Sequence, residues 1–232
     1  MENNKVQIFI VRFKNEIAQW EVPLFRGGVN EVMEQKNVLF HNHMESDKVT
    51  YRYPLIQYKR INNKASMVCL QQGTEAIGDF FTNGKFDVII GERNVTLDVD
   101  HIEAGTPVVQ VWDEMFTYRL RKWLPLSSEN YATYKKLDGL VEQMSFLEKI
   151  LVGNILSFAK GVDVTIDKEI SCKIVKLIGT HSYTYKGVKM MGFDVEFRAN
   201  VSLPDYIGIG KGASRGYGIV HQEKKRERGN EG

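Results

Sequence analysis

Residues 5–13, Lys-Val-Gln-Ile-Phe-Ile-Val-Arg-Phe, are dense in β-branched and aromatic side chains and predict a first strand. After Pro23, the apolar positions Val29, Val32, Met33, Val38 and Leu39 fall at loose helical spacing and predict a helix. Residues 49–61 and 65–71 return to strand character, and Asn62-Asn63-Lys64 between them predicts a hairpin turn. From Thr74 to Asn83, Ala76, Ile77, Phe80 and Phe81 recur with helical period, and residues 85–90 and 94–99 read as strands again. The order β-α-β-β-α-β is the ferredoxin-like arrangement.

The second half follows a similar scheme. Residues 107–118 predict a strand and Tyr118 to Leu126 a basic connection. Asn130 to Lys160 predicts a long helical region, broken near Asp138-Gly139. Its last part carries Met144, Leu147, Ile150, Leu151, Ile155, Leu156 and Phe158, a stripe expected to face a core. Residues 169–179 and 187–201 predict strands with a turn at Tyr185-Lys186-Gly187, and Tyr217 to Val220 a last one. The expected fold is α+β: two tandem ferredoxin-like (βαββαβ) domains, with a glycine-rich loop near the C-terminus. The boundary falls near Ala104-Gly105-Thr106-Pro107, giving domains of residues 1–105 and 106–220. The remainder, 221–232, alternates Lys, Arg and Glu and is expected to be disordered.

Composition narrows the function classes. With 232 residues, 43% hydrophobic and 26% charged, the chain can build a sizeable core. A formal charge of +2 requires any nucleic-acid site to be a local patch. Cys69 and Cys172 each sit in an apolar strand-like run and read as reduced core residues. A signal-peptide pattern is missing from the N-terminus and no apolar run suits a membrane span, so the expectation is a cytoplasmic protein with no membrane partner.

The densest chemical signal is Gly208-Ile-Gly210-Lys211-Gly212-Ala-Ser214-Arg215-Gly216-Tyr-Gly218. Glycine permits positive φ and close approach, and Lys211 and Arg215 add charge, which suits a loop wrapped around a phosphate chain. A Walker loop is set aside because no helix pattern follows and Lys211 is followed directly by Gly212. The dinucleotide fingerprint is set aside because the chain ends before an acidic partner could appear. A wide hairpin turn with glycines at bulges remains an alternative.

His41-Asn42-His43 is the closely spaced histidine pair, placed after the first predicted helix. In an extended segment these imidazoles point to one side. They could serve as base and acid in transesterification of RNA. Lys36 and Lys48 lie within reach by sequence to offset phosphorane charge, and Tyr51 or Tyr53 could orient a histidine. A pair of surface histidines beside a loop is the plain alternative. A metal site would need further ligands, and no Cys/His/Asp cluster supplies them, so neither metal nor cofactor is expected. His101 and His181 read as solitary local residues. Tyr118-Arg119-Leu-Arg121-Lys122-Trp123 interleaves cations with aromatics, which suits either RNA contact or the wet face of a strand.

The glycine pattern G-x-G-x-G-x-x-x-G-x-G behind two ferredoxin-like units resembles the repeat-associated (RAMP) proteins of CRISPR systems. With the histidine pair, the chain looks most like their repeat-processing endoribonucleases. The resemblance implies His41, His43, Lys36 and Tyr51 as nuclease residues. It implies metal-independent cleavage of precursor CRISPR RNA within its repeat, leaving a 2′,3′-cyclic phosphate and a 5′-hydroxyl. Gly208, Gly210, Lys211, Gly212, Ser214, Arg215, Gly216 and Gly218 would grip the repeat, with Arg119, Arg121 and Lys122 as further contacts. Repeat RNA is the implied partner; a homodimer and other effector subunits are further candidates. A repeat-binding RAMP protein without nuclease activity, and a nucleotide-binding α+β protein, are the competing readings.

Overall fold

The opening run of branched and aromatic residues forms β1 (Ile8–Glu16) in a computed structural model that describes residues 4–33, 53–83 and 86–223. One 3-10 turn, Gln19–Glu21, then leads into α1 (Val22–Met33). This helix starts earlier than the apolar spacing predicts. Pro23 stands in its first turn, where a missing N–H breaks no helical hydrogen bond. Val38 and Leu39 lie outside the described residues. β2 (Ile56–Ile61) and β3 (Lys64–Leu70) are joined by Asn62 and Asn63 at φ 50 and 67. Two successive left-handed residues match the right-handed twist of a tight hairpin.

After α2 (Gln72–Asn83) come β4 (Asp87–Ile90), β5 (Arg93–Thr96) and β6 (Val99–Gly105). Here the structure corrects the sequence reading. β4 and β5 make a separate two-stranded sheet, and β6 completes the first sheet by pairing antiparallel with β1. The separate hairpin is held against α1, where Gly28 backs directly onto the Ile89 carbonyl. The first sheet runs β2-β3-β1-β6, with antiparallel neighbours throughout.

The second unit holds β7 (Val111–Trp123), α3 (Ser128–Tyr134), α4 (Gly139–Gly161), β8 (Cys172–Tyr185), β9 (Val188–Val201) and β10 (Ile219–Gln222). Its sheet runs β10-β7-β9-β8, the same last-first-third-second order as the first sheet read from its other edge. Ser127 caps α3 by accepting the Asn130 N–H at 3.1 Å, and α4 opens on Gly139 at φ 80. Of the expected basic connection at 118–126, residues 118–123 instead complete β7. Tyr118 and Leu120 are fully buried while Arg119 and Arg121 alternate with them, a two-residue period. Where a βαββαβ unit has its second helix, residues 202–218 form irregular chain, which contains the glycine run. His221 and Gln222, expected in the disordered tail, pair with Arg119 and Tyr118.

Two cores result. One fills the space between the first sheet and α1 and α2, around Phe13, Phe25, Tyr58 and Phe80. The other crosses between the units. Val6, Ile10, Ile61, Val68 and Leu70 of the first unit pack with Trp123, Leu151, Phe158, Phe193 and Phe197 of the second. Each such side chain contributes about 1.5–3 kcal/mol when buried, so the shared face is a substantial part of the stability of both units. Cys69 and Cys172 are buried and unpaired. Among the described residues, no helix is long and apolar enough to cross a membrane.

Candidate nucleic-acid interface

The glycine stretch is shaped by its own backbone. Gly210, Gly212, Gly216 and Gly218 take φ of 78, 78, 79 and 61, which side-chain-bearing residues rarely adopt. At Gly218 space decides as well, since a Cβ there would collide with the Ile209 carbonyl oxygen. The Ile209 N–H donates to the Gly218 carbonyl at 2.8 Å, and the Gly218 N–H donates to the Lys122 carbonyl at 3.0 Å. The stretch is thus closed on itself and tied to the end of β7.

Strand β2 and the residues just before it hold the other side. The Tyr53 hydroxyl donates to the Gly208 carbonyl at 2.7 Å, and the Gly208 N–H donates to the Gln57 side chain at 2.8 Å. The Gln57 amide in turn donates to the Tyr53 oxygen at 2.8 Å and to the Pro54 carbonyl at 3.0 Å. The Tyr58 N–H donates to the Ser214 carbonyl at 3.2 Å. Lys59, fully buried, donates from Nζ to the Ala213 carbonyl at 2.8 Å. Burial alone lowers the Lys59 pKa to about 7. Both polar backbone groups of Gly208 are therefore occupied inside the protein.

What remains available is the middle of the stretch. Among the described residues no acceptor takes the backbone N–H of Gly210, Lys211, Gly212, Ala213 or Ser214. Gly210 and Gly212, both left-handed, lie within this run, and successive N–H groups in such turns are the kind of backbone that can hold an anion. Lys211 is exposed beside it.

The β8–β9 hairpin forms the opposite wall. Its tip turns at Lys186 and Gly187, with φ 50 and 79. His181, Tyr183 and Tyr185 alternate along β8, and the rings of Tyr183 and Tyr185 each meet Tyr217 edge-on at 5.7 Å. Burial pushes the Tyr183 hydroxyl up to about 12, helped by Asp194 and Tyr217, so it stays protonated near neutrality. His181 is not solitary: its Nε2 lies 3.5 Å from the Asp194 carboxylate. His221 likewise lies 3.3 Å from Asp205.

The basic residues of β7 divide. The Lys122 backbone N–H donates to Asp194 at 2.6 Å, and its carbonyl anchors Gly218. Burial first, then Arg60 and Arg121, lower its ammonium to about 8 against the opposing pull of Asp194. Arg121 is exposed on the same strand face as Arg119. The Arg119 Nε is buried and has no hydrogen-bond partner among the described residues. His41, His43, Lys36 and Tyr51 lie outside the described residues. Tyr53, the alternative to Tyr51, is committed to Gly208.

Sequence reading missed Gln57, Lys59 and Arg26. In β2 the polar pair alternates with Ile56 and Tyr58 and looks like a wet strand face. Arg26 lies inside an amphipathic helix without any local mark.

Tandem ferredoxin-like sheets with a glycine-rich segment in place of the final helix define a Cas6-type fold of the repeat-associated class. A family model of the Cas6b N-terminal domain matches residues 4–106, and one of the Cas6b C-terminal domain matches residues 110–223. The chain belongs to the Cas6b family. It is similar to a crystal structure of Cas6b, with 24% identity over 94% of this chain and all of that one, at a TM-score of 0.86. A second crystal structure, of the CRISPR RNA processing endoribonuclease Cas6b, is 23% identical over 94% of this chain and all of that one, at 0.72. An uncharacterized protein of Methanocaldococcus jannaschii, MJ0978, is 35% identical over 143 residues, 59% of this chain and 96% of that one.

Proposed function

We propose that this chain is an endoribonuclease that matures CRISPR RNA by cutting the precursor within its repeat. Membership of the Cas6b family supports the reading. The observation that carries RNA binding is the run of N–H groups from Gly210 to Ser214 that find no acceptor among the described residues, with Lys211 and Arg215 beside it. Phosphate oxygens are the acceptors such a run suits.

In the proposed chemistry, one imidazole of His41 and His43 takes the proton from a 2′-hydroxyl. The freed oxygen attacks the adjacent phosphorus, and the bond to the 5′ oxygen breaks as the other imidazole protonates it. The products are a 2′,3′-cyclic phosphate and a 5′-hydroxyl, with no metal required. Lys36 offsets the charge that grows on the phosphorane, and Tyr51 orients a histidine. Each acid or base role contributes about 10²–10⁴-fold.

The test is single-turnover cleavage of a precursor repeat transcript. His43→Ala lowers the rate by about 10²-fold or more, while the variant still binds the transcript. Cleavage persists in EDTA. A double His41→Ala, His43→Ala variant that cuts at the wild-type rate removes these residues from the mechanism. Wild-type protein that binds repeat RNA and leaves it intact is instead a non-catalytic subunit of an effector complex.

A further inference from the structure

Arg26 is not used by the chemistry above. Val22 and Arg26 lie one turn apart on the same face of α1. That face abuts the glycine stretch: a Cβ on Gly216 would stand 3.1 Å from Val22 Cγ1 and 3.4 Å from Gln19 Nε2. Arg215, next in the chain, forms a parallel bridge with Tyr58. The Tyr58 ring packs edge-on against Phe25 of α1 at 5.5 Å, and its hydroxyl donates to Asn30 of α1 at 2.8 Å. Arg26 and Arg215 therefore approach each other across the joint between the two units.

Both arginines are partly buried. Burial and the charge of Arg215 lower the Arg26 pKa, while Tyr58 and Tyr185 oppose the shift. Among the described residues neither arginine makes an ion pair. Two like charges held close without a carboxylate favour an anion between them, and the guanidinium fork fits phosphate oxygens. Beside them the Arg215 guanidinium lies 6.0 Å over the Tyr185 ring, which meets Tyr217 edge-on.

We propose that Arg26 and Arg215 clamp a single phosphate of bound RNA, and that Tyr185 and Tyr217 take the unpaired base attached to it. This deepens the RNA-binding reading and rests on it. The ligand is an unpaired nucleotide because a base within a duplex cannot swing out onto a side chain without unstacking. The clamp draws one arginine from each unit, so the strand it holds bridges them.

Fluorescence anisotropy tests this with a labelled oligouridylate of about 12 nucleotides, an RNA duplex, and the repeat transcript, over a salt series. Arg26→Gln and Arg215→Gln each weaken oligouridylate binding by about 10-fold or more. The double variant is hardly weaker than the worse single variant, because one phosphate is lost either way. Each variant lowers the salt slope by about 0.7, and so does the double variant. Arg26→Lys restores the slope. Tyr185→Ala costs about 5-fold or more with oligouridylate and leaves duplex binding unchanged. Thermal midpoints within the wild-type range confirm that the variants fold.

Additive losses with a doubled change in slope would mean two separate phosphates and overturn the clamp. Wild-type affinity in Arg26→Gln would overturn it too, while leaving the endoribonuclease reading intact if the repeat transcript is still bound and cut. Wild-type protein that binds none of the three RNAs would overturn both.

Discussion

Lys59 places its amine beneath the glycine stretch with no solvent contact, and among the described residues its acceptor is the Ala213 carbonyl. Its folded pKa is about 7, against roughly 10.4 for an unfolded lysine. Between those values the unfolded chain binds more protons than the folded one, so this group makes stability rise with pH. Below pH 7 the folded protein takes the proton too, and the penalty is constant. Lys59→Met lacks the titration and loses one hydrogen bond, leaving the Ala213 carbonyl unpaired at a cost of about 1–3 kcal/mol. The thermal midpoint of the variant minus that of the wild type is expected to be greatest at pH 7 and to fall steadily toward pH 9. Parallel curves would show that Lys59 titrates normally. The comparison cancels contributions shared by both proteins, such as Cys69, whose thiol burial pushes upward.

At the level of elements, the glycine stretch behaves as a braced structure. Gly218→Ala forces a side chain into a left-handed residue and against the Ile209 carbonyl. The expected loss is more than about 2 kcal/mol, read as a lower urea midpoint with an unchanged m-value. Gly187→Asn, at the open tip of the β8–β9 hairpin, is expected to cost less than about 1 kcal/mol because asparagine tolerates that conformation. The two substitutions separate backbone shape from backbone crowding. Turns of this kind were legible in the sequence: Asn62-Asn63, Asp138-Gly139 and Lys186-Gly187 all fall where their chemistry puts them. Strand partners were harder to read. The β4–β5 hairpin carries the same local signal as a strand of the main sheet, and only long-range pairing separates it from β6. In β7 the density of cations masked an ordinary two-residue period. Gln57 and Lys59 looked solvent-facing because the segment that covers them lies more than 150 residues away, as the Lys59–Ala213 bond spans 154. Arg26 gained its meaning only when Arg215 arrived from the other unit.

Across the whole molecule, the second core makes the units interdependent. Ile61, Val68 and Leu70 of the first sheet share one apolar cluster with Trp123, Phe158 and Phe193. The chain is therefore expected to unfold in one transition, with calorimetric and van't Hoff enthalpies in agreement. Two resolved transitions would show that the shared core contributes little. Residues 107–232 expressed alone would lose Val6, Ile10, Ile61, Val68 and Leu70 from the shared cluster, and are expected to bind a hydrophobic dye and lack sharp thermal unfolding.

Strand β2 sets a rule for anyone recombining relatives of this protein. One of its sides is fitted to α1 through Tyr58, while the other moulds the segment from Gly208 to Ser214 through Gln57 and Lys59. A chimera cut at the midpoint inherits a template from one parent and its cast from another. Residues 53–60 and 207–218 should be transplanted as a matched set, although the paired Gln57 and Gly208 stand 151 positions apart.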